Sequence, residues 1–184
     1  MLSKLAEEVK KTIVTTIEGT DDVLTALRGA VKSQVTGSLK DVGEITTTSL
    51  VVVSDIVEGA IAGAGEAGTA LVDAAGATVK TAITTVAEVG GDAVEAAASA
   101  VSGAVKGAAD VGGDVGQVAV SAVGGAIEAV GSLGKDTAQA GEKAVVAAVK
   151  AADEVGGETG KLVREALKST ASLPKDIIES AIKG

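Results

Sequence analysis

The residues able to do chemistry are few and of a narrow kind. The chain contains no His, Cys, Tyr, Trp, Phe or Asn. Proton transfer would therefore fall to carboxylates and lysines, and nucleophilic attack to Ser or Thr. The closest carboxylate pairs, Asp21-Asp22 and Asp153-Glu154, are adjacent in sequence, a pattern of solvated charge. A metal site needs clustered ligands, whereas the acids here are scattered along polar positions. Gly63-Ala64-Gly65-Glu66-Ala67-Gly68 has GxGxxG spacing. That string signals a dinucleotide only inside a strand–turn–helix unit with an acid about 20 residues on. Glu88 stands near that distance, but no second parallel strand is evident. Gly131 to Asp136 only echoes a phosphate-binding loop. The expectation is a non-enzymatic chain with no catalytic residue, metal, cofactor or small-molecule substrate.

What the sequence does carry is a repeat. Residues 89–110, VGGDAVEAAASAVSGAVKGAAD, are followed by 111–132, VGGDVGQVAVSAVGGAIEAVGS, and the two agree at 10 of 22 positions. Extended without gaps, the frame divides 1–176 into eight 22-residue units, with a truncated ninth at 177–184. Such periods identify repeat architectures. Positions 13 and 17 of the unit are apolar almost throughout: Ile13 and Ile17, Val35 and Leu39, Val57 and Ile61, Val79 and Ile83, Val101 and Val105, Val123 and Ile127, Val145 and Val149, and Leu167. Together with positions 1, 5, 9 and 20 they recur about every 3.67 residues, which is the period of a helix and not of a strand. Acid closes nearly every unit, at Asp22, Glu44, Glu66, Glu88, Asp110, Glu154 and Asp176. The fold class expected is all-α: tandem amphipathic helices, as long helices or as helical hairpins, whose apolar face never rotates away. That face is the expected lipid- or self-association surface.

Composition sets the terms on which those helices exist. The 25 glycines each cost a helix interior about 1 kcal/mol against Ala, so a lone helix in water would not hold. Its apolar face must be covered by other repeats, by other copies or by lipid. Gly59 and Gly63, and Gly103 and Gly107, stand four apart, a spacing that lets helix backbones approach closely. Gly-Gly at 90–91, 112–113 and 156–157 marks either a helix break or a thin point in a continuous helix. Gly19 followed by Asp22 reads as a stop and an N-cap. Thr46 to Val53 has strand propensity and is where a helix would fail first. Pro174 suits the opening of a last short helix, from about 174 to Lys183.

The net charge of −9 and pI near 4.5 exclude the basic face that nucleic acid requires. The N-terminus carries Glu7, Glu8, Lys10 and Lys11 where a secretory signal needs an unbroken apolar run. The most apolar long stretch, Ile45 to Gly65, contains Asp55 and Glu58, so no membrane-spanning helix is expected and a cytoplasmic location is the default. On the repeat, Val101→Asp should abolish assembly or lipid binding, and Asp92→Lys, off the apolar face, should change only salt sensitivity.

The 11-residue phasing, the Val-Gly-Gly pieces at 89–91 and 111–113 and the stretch Lys80 to Ala87 resemble lipid-surface helix proteins. These are the synucleins, the perilipins and the 22-residue repeats of exchangeable apolipoproteins, here with Gly-Gly where an apolipoprotein has proline. Late-embryogenesis-abundant proteins and granule-coating phasins share the broad pattern. The resemblance implies a coat whose partners are an apolar lipid or granule surface and copies of the chain itself. A self-assembling filament or tube without lipid, and a desiccation-type protectant, are the alternatives.

Overall fold

The computed structural model describes residues 2–40 and 46–183. Met1, Glu44 and Ile45, which the repeat frame uses, lie outside them. The described residues form helices α1 (Lys4–Ile17), α2 (Val23–Leu39), α3 (Thr47–Glu66), α4 (Leu71–Glu88), α5 (Ala93–Asp110), α6 (Val115–Ser132), α7 (Thr137–Val155), α8 (Gly157–Ser169) and α9 (Lys175–Lys183), with no strand among them. The chain is all-helical. Of the two arrangements open from the sequence, it takes helical hairpins.

Most units break at a glycine near their start, single or paired, and hydrogen bonds explain why. Gly68, Gly90, Gly112 and Gly134 all adopt positive φ, between 67° and 89°, the left-handed conformation that ends a helix without a Cβ clash. The next amide then reaches back five residues: Gly91 N to Val86 O at 2.8 Å, Gly113 N to Ala108 O at 2.8 Å, and Lys135 N to Val130 O at 3.1 Å. Asp92, Asp114 and Asp136 follow directly as N-caps, accepting from Val94 N, Gln117 N and Gln139 N at 2.8–3.0 Å. Val-Gly-Gly-Asp is thus a complete turn: a helix stop and a helix start in four residues. Gly156 differs. Its φ of 167° is extended backbone, and it is the single residue between α7 and α8. The Thr- and Val-rich start of α3 is helical, because the burial of Val53, Ile56 and Val57 outweighs a strand propensity that is itself only a packing preference. Pro174 precedes α9, its carbonyl accepting from Ile178 N at 3.3 Å.

Short turns reverse the chain, so helices two apart run the same way and lie side by side. Helices α1, α3, α5, α7 and α9 form one layer, and α2, α4, α6 and α8 form the other. The sequence repeat is one helix; the packing repeat is a hairpin of two. Between the layers lies one continuous core of Val, Ile, Leu and Ala. Two helices, over Thr48–Glu66 and Val115–Ser132, are long and apolar enough to cross a membrane. Each carries acid, Asp55, Glu58 and Glu66 in the first and Glu128 in the second. Both bury half or more of that length inside the array (61% and 50%), as core helices do.

Candidate functional site: the seam, the crossings and Glu58

The fifteen residues of columns 13 and 17 do not form an outward face. Ile13, Ile17, Val35, Leu39, Val57, Ile61, Val79, Ile83, Val101, Val105, Val123, Val145 and Leu167 are all buried in the seam between the chain's own layers. Ile127 and Val149 are only half-buried. They lie beside α8 and α9, which at 13 and 9 residues are too short to cover the full length of their neighbours. The cover that the apolar columns require is, in this structure, the opposite layer.

The four glycines spaced for close packing sit on the crossings within the odd layer. A Cβ on Gly59 would fall onto the carbonyl oxygen of Ala6, and one on Gly63 would stand 2.9 Å from Lys10 O. One layer step on, a Cβ on Gly103 would fall onto Ser54 O, and one on Gly107 would stand 2.5 Å from Glu58 O. The even layer repeats the device at Gly125, 2.7 Å from Gly76 O. Side chains at these positions would push the parallel helices apart, so the spacing of each layer is set by missing atoms.

Charges line the outer rims. Lys10 pairs with Glu66 at 2.8 Å and Lys32 with Glu88 at 2.8 Å; Lys106 pairs with Glu154 at 2.9 Å. Lys80 pairs with Glu128 and Lys143 with Glu95. Each of these joins helices two apart in one layer. Arg164 grips Asp153 with both nitrogens, at 2.8 and 2.6 Å, and that hydrogen bonding holds the Asp153 carboxyl below its usual range. Lys106 does the same to Glu154 through its hydrogen bond. Such exposed pairs add little stability individually; they fix register between neighbouring helices.

One acid breaks this pattern and was missed from sequence. Glu58 on α3 is 6% exposed, and no hydrogen bond or ion pair to its carboxylate occurs among the described residues. Burial, then the nearby charges of Asp110 and Asp55, push it up to about 7, against the opposing pull of Lys106 and of the N-terminal charge. Thr78 Oγ1, in α4, is likewise buried without a partner. The GxGxxG string has no strand before it: Gly63 and Gly65 lie inside α3, Gly68 is its turn glycine, and Glu66 is engaged by Lys10. Among the described residues no three acids are grouped to hold a metal ion. No protein-family model matches the chain, and no curated protein is significantly similar to it.

Proposed function

We propose that this chain is a non-enzymatic structural protein whose helices cover an apolar lipid or granule surface and pack beside copies of themselves, with the two-layer array as its closed form. The observation that supports this reading is the chemistry of the seam. It is filled almost wholly by Val, Ile, Leu, Ala and Gly, with Thr78 and Thr85 of α4 also buried and no aromatic to lock one layer into the other. A smooth alkyl surface of that kind exchanges one apolar cover for another at little cost in specific contacts, as a helix lying in a lipid interface does. Because turns join the layers at both edges, opening proceeds by parting helices two apart, which releases the rim pairs and the glycine crossings.

A second reading, a closed helical-repeat scaffold that never opens, draws on those same crossings, since opening sacrifices all of them. End-to-end growth into a filament is the alternative: α1 exposes Glu8, Lys11 and Thr15, but α8 exposes Leu162 beside Lys161, Glu165 and Lys168.

Clamping separates the readings. Cysteines at Lys32 and Glu88, and at Lys106 and Glu154, joined by a short bis-maleimide, tie α2 to α4 and α5 to α7. The unclamped chain is expected to float with neutral-lipid emulsions and the clamped chain to remain in the aqueous phase. Flotation of both forms rules out opening, and flotation of neither rules out the coat.

A further inference from the structure

The crossing of α1, α3 and α5 encloses an ionisable group. Position 14 of the unit is filled by Val14, Thr36, Glu58, Lys80, Ser102, Gly124, Val146 and Lys168, and Glu58 is the only acid among them. Its stretch of α3 is held from both sides by backbone contact. On one side Gly59 lies against the carbonyl oxygen of Ala6 in α1. On the other, Gly103 lies against the carbonyl oxygen of Ser54, and Gly107 against that of Glu58 itself. Helices that touch in this way leave the α3 backbone no room to shift, and Glu58 stays 6% exposed. Its carboxyl gains water only if α3 parts from a neighbour.

Charges of both signs reach Glu58. From α5 come Asp110 and Lys106, the latter paired with Glu154 of α7; Asp55 stands on α3 itself, and the amino-terminal charge acts as well. Lys150 of α7 lines the same outer groove. On α1, Lys10 is engaged by Glu66 and Glu7. Helices α2 and α4 meet α3 across the apolar seam, and none of their charges is among those that shift Glu58. Burial and the two acids outweigh the two cations and push the carboxyl up to about 7. A carboxyl so placed is accommodated in its neutral form, and the closed packing loses free energy once it ionises.

We propose that Glu58 is a proton-operated latch: protonated, it lets α1, α3 and α5 close on one another, and on giving its proton to water it parts α3 from its neighbours. Between about 4.5 and 7 the closed form holds a proton that the parted form has released. Rising pH therefore favours parting through that window and adds nothing above it. The latch deepens the coat reading, and rests on it only for what the parted helices then meet. Its direction is unusual. Acidic amphipathic helices without such a latch join lipid more readily as pH falls, because a protonated carboxyl is cheaper to remove from water; this chain should do so as pH rises.

The test follows amide hydrogen exchange of the full chain, without lipid, from pH 5 to pH 8. Each rate is divided by its intrinsic value, so that it reads the population of the parted form. In α1, α3 and α5 that population should rise about thirtyfold across the range, and by less in α8 and α9. Glu58→Gln, neutral throughout, should hold at pH 8 the protection it has at pH 5. Asp55→Asn removes one repelling charge and should shrink the slope without abolishing it, and the exposed Glu18→Gln should keep it whole. A flat wild-type profile, an unchanged slope in Glu58→Gln, or one slope shared by every helix would overturn the latch. Partition onto a neutral-lipid emulsion, measured beside it, should rise by the same factor. Exchange that rises with pH while the chain never floats would leave the latch standing and overturn the coat.

Discussion

Gly103 lies against the carbonyl oxygen of Ser54 so closely that a methyl group could not be placed between them. One turn on, Gly107 stands in the same relation to Glu58. Two helices 49 residues apart in sequence therefore touch backbone to backbone, and the contact is invisible to any reckoning of side-chain hydrophobicity.

Glycine in a helix normally costs stability, and this geometry reverses the sign at chosen sites. Gly103→Ala and Gly59→Ala should each lose about 1–3 kcal/mol through overpacking. Gly37, inside α2 with open space where a Cβ would go, provides the control. Gly37→Ala should gain about 0.5–1 kcal/mol. Urea unfolding of the three variants decides the matter, and equal shifts at Gly37 and Gly103 would show that the layers are not held by backbone contact.

Glu58 makes stability depend on pH in the direction opposite to most carboxylates. Its folded value of about 7 lies above the ordinary 4.5, so between those values the folded state holds a proton that the unfolded chain has released. Stability therefore falls as pH rises through that window, is greatest below 4.5 as far as this group is concerned, and levels off above 7. The loss is on the order of 2 kcal/mol, taken below the full shift because the side chain is not fully enclosed. Glu58→Gln should be more stable than wild type at pH 8 and equal to it near pH 4.5. Chemical unfolding at both values checks the slope, and a variant that keeps the wild-type slope would assign it to another group.

The helical period and the turns were legible because each is written locally. Columns 13 and 17 recur at helical spacing, and Gly-Gly-Asp spells a stop and a cap within a few residues. The choice of partner was not legible, because the pairing of helices two apart depends on where a missing Cβ meets a carbonyl oxygen. Gly59, Gly63, Gly103 and Gly107 announce close approach without saying to what. Glu58 was passed over because its place in the repeat belongs to a polar column. Its neighbour Gly59 held the signal: a glycine that draws α1 onto α3 also draws cover over the residue beside it.

Burial of the apolar columns inside the array gives a sharper contrast than the sequence alone could. Ile61, fully buried in the seam, should lose about 2–5 kcal/mol on replacement by Ala. Val51, 57% exposed on α3 and outside the apolar columns, should change by less than about 0.5 kcal/mol. Val149→Ala, at the half-covered end of the column that holds Ile61, should fall between the two. Thermal unfolding would show equal, small losses at Ile61, Val149 and Val51 if the column faced lipid or solvent in the free chain.

Asp92 carries more than the surface charge that its position off the apolar face suggests. Its carboxylate accepts from Val94 N at 2.8 Å and Glu95 N at 3.2 Å and so closes the amino end of α5, directly after Gly90 has closed α4 in the left-handed conformation. Asp92→Lys removes the acceptor and sets a cation at the positive end of the helix, so the loss of about 1 kcal/mol expected for a cap should persist at high salt. Asp92→Asn, which keeps an acceptor oxygen, should recover most of it. Gly90→Ala acts on the other half of the same turn and should cost about 1–2 kcal/mol through backbone conformation alone. Asp92 and Gly90 serve one four-residue turn, so the double variant should lose less than the sum of the two. Strict additivity in denaturant titrations would mean that stop and cap act as separate devices.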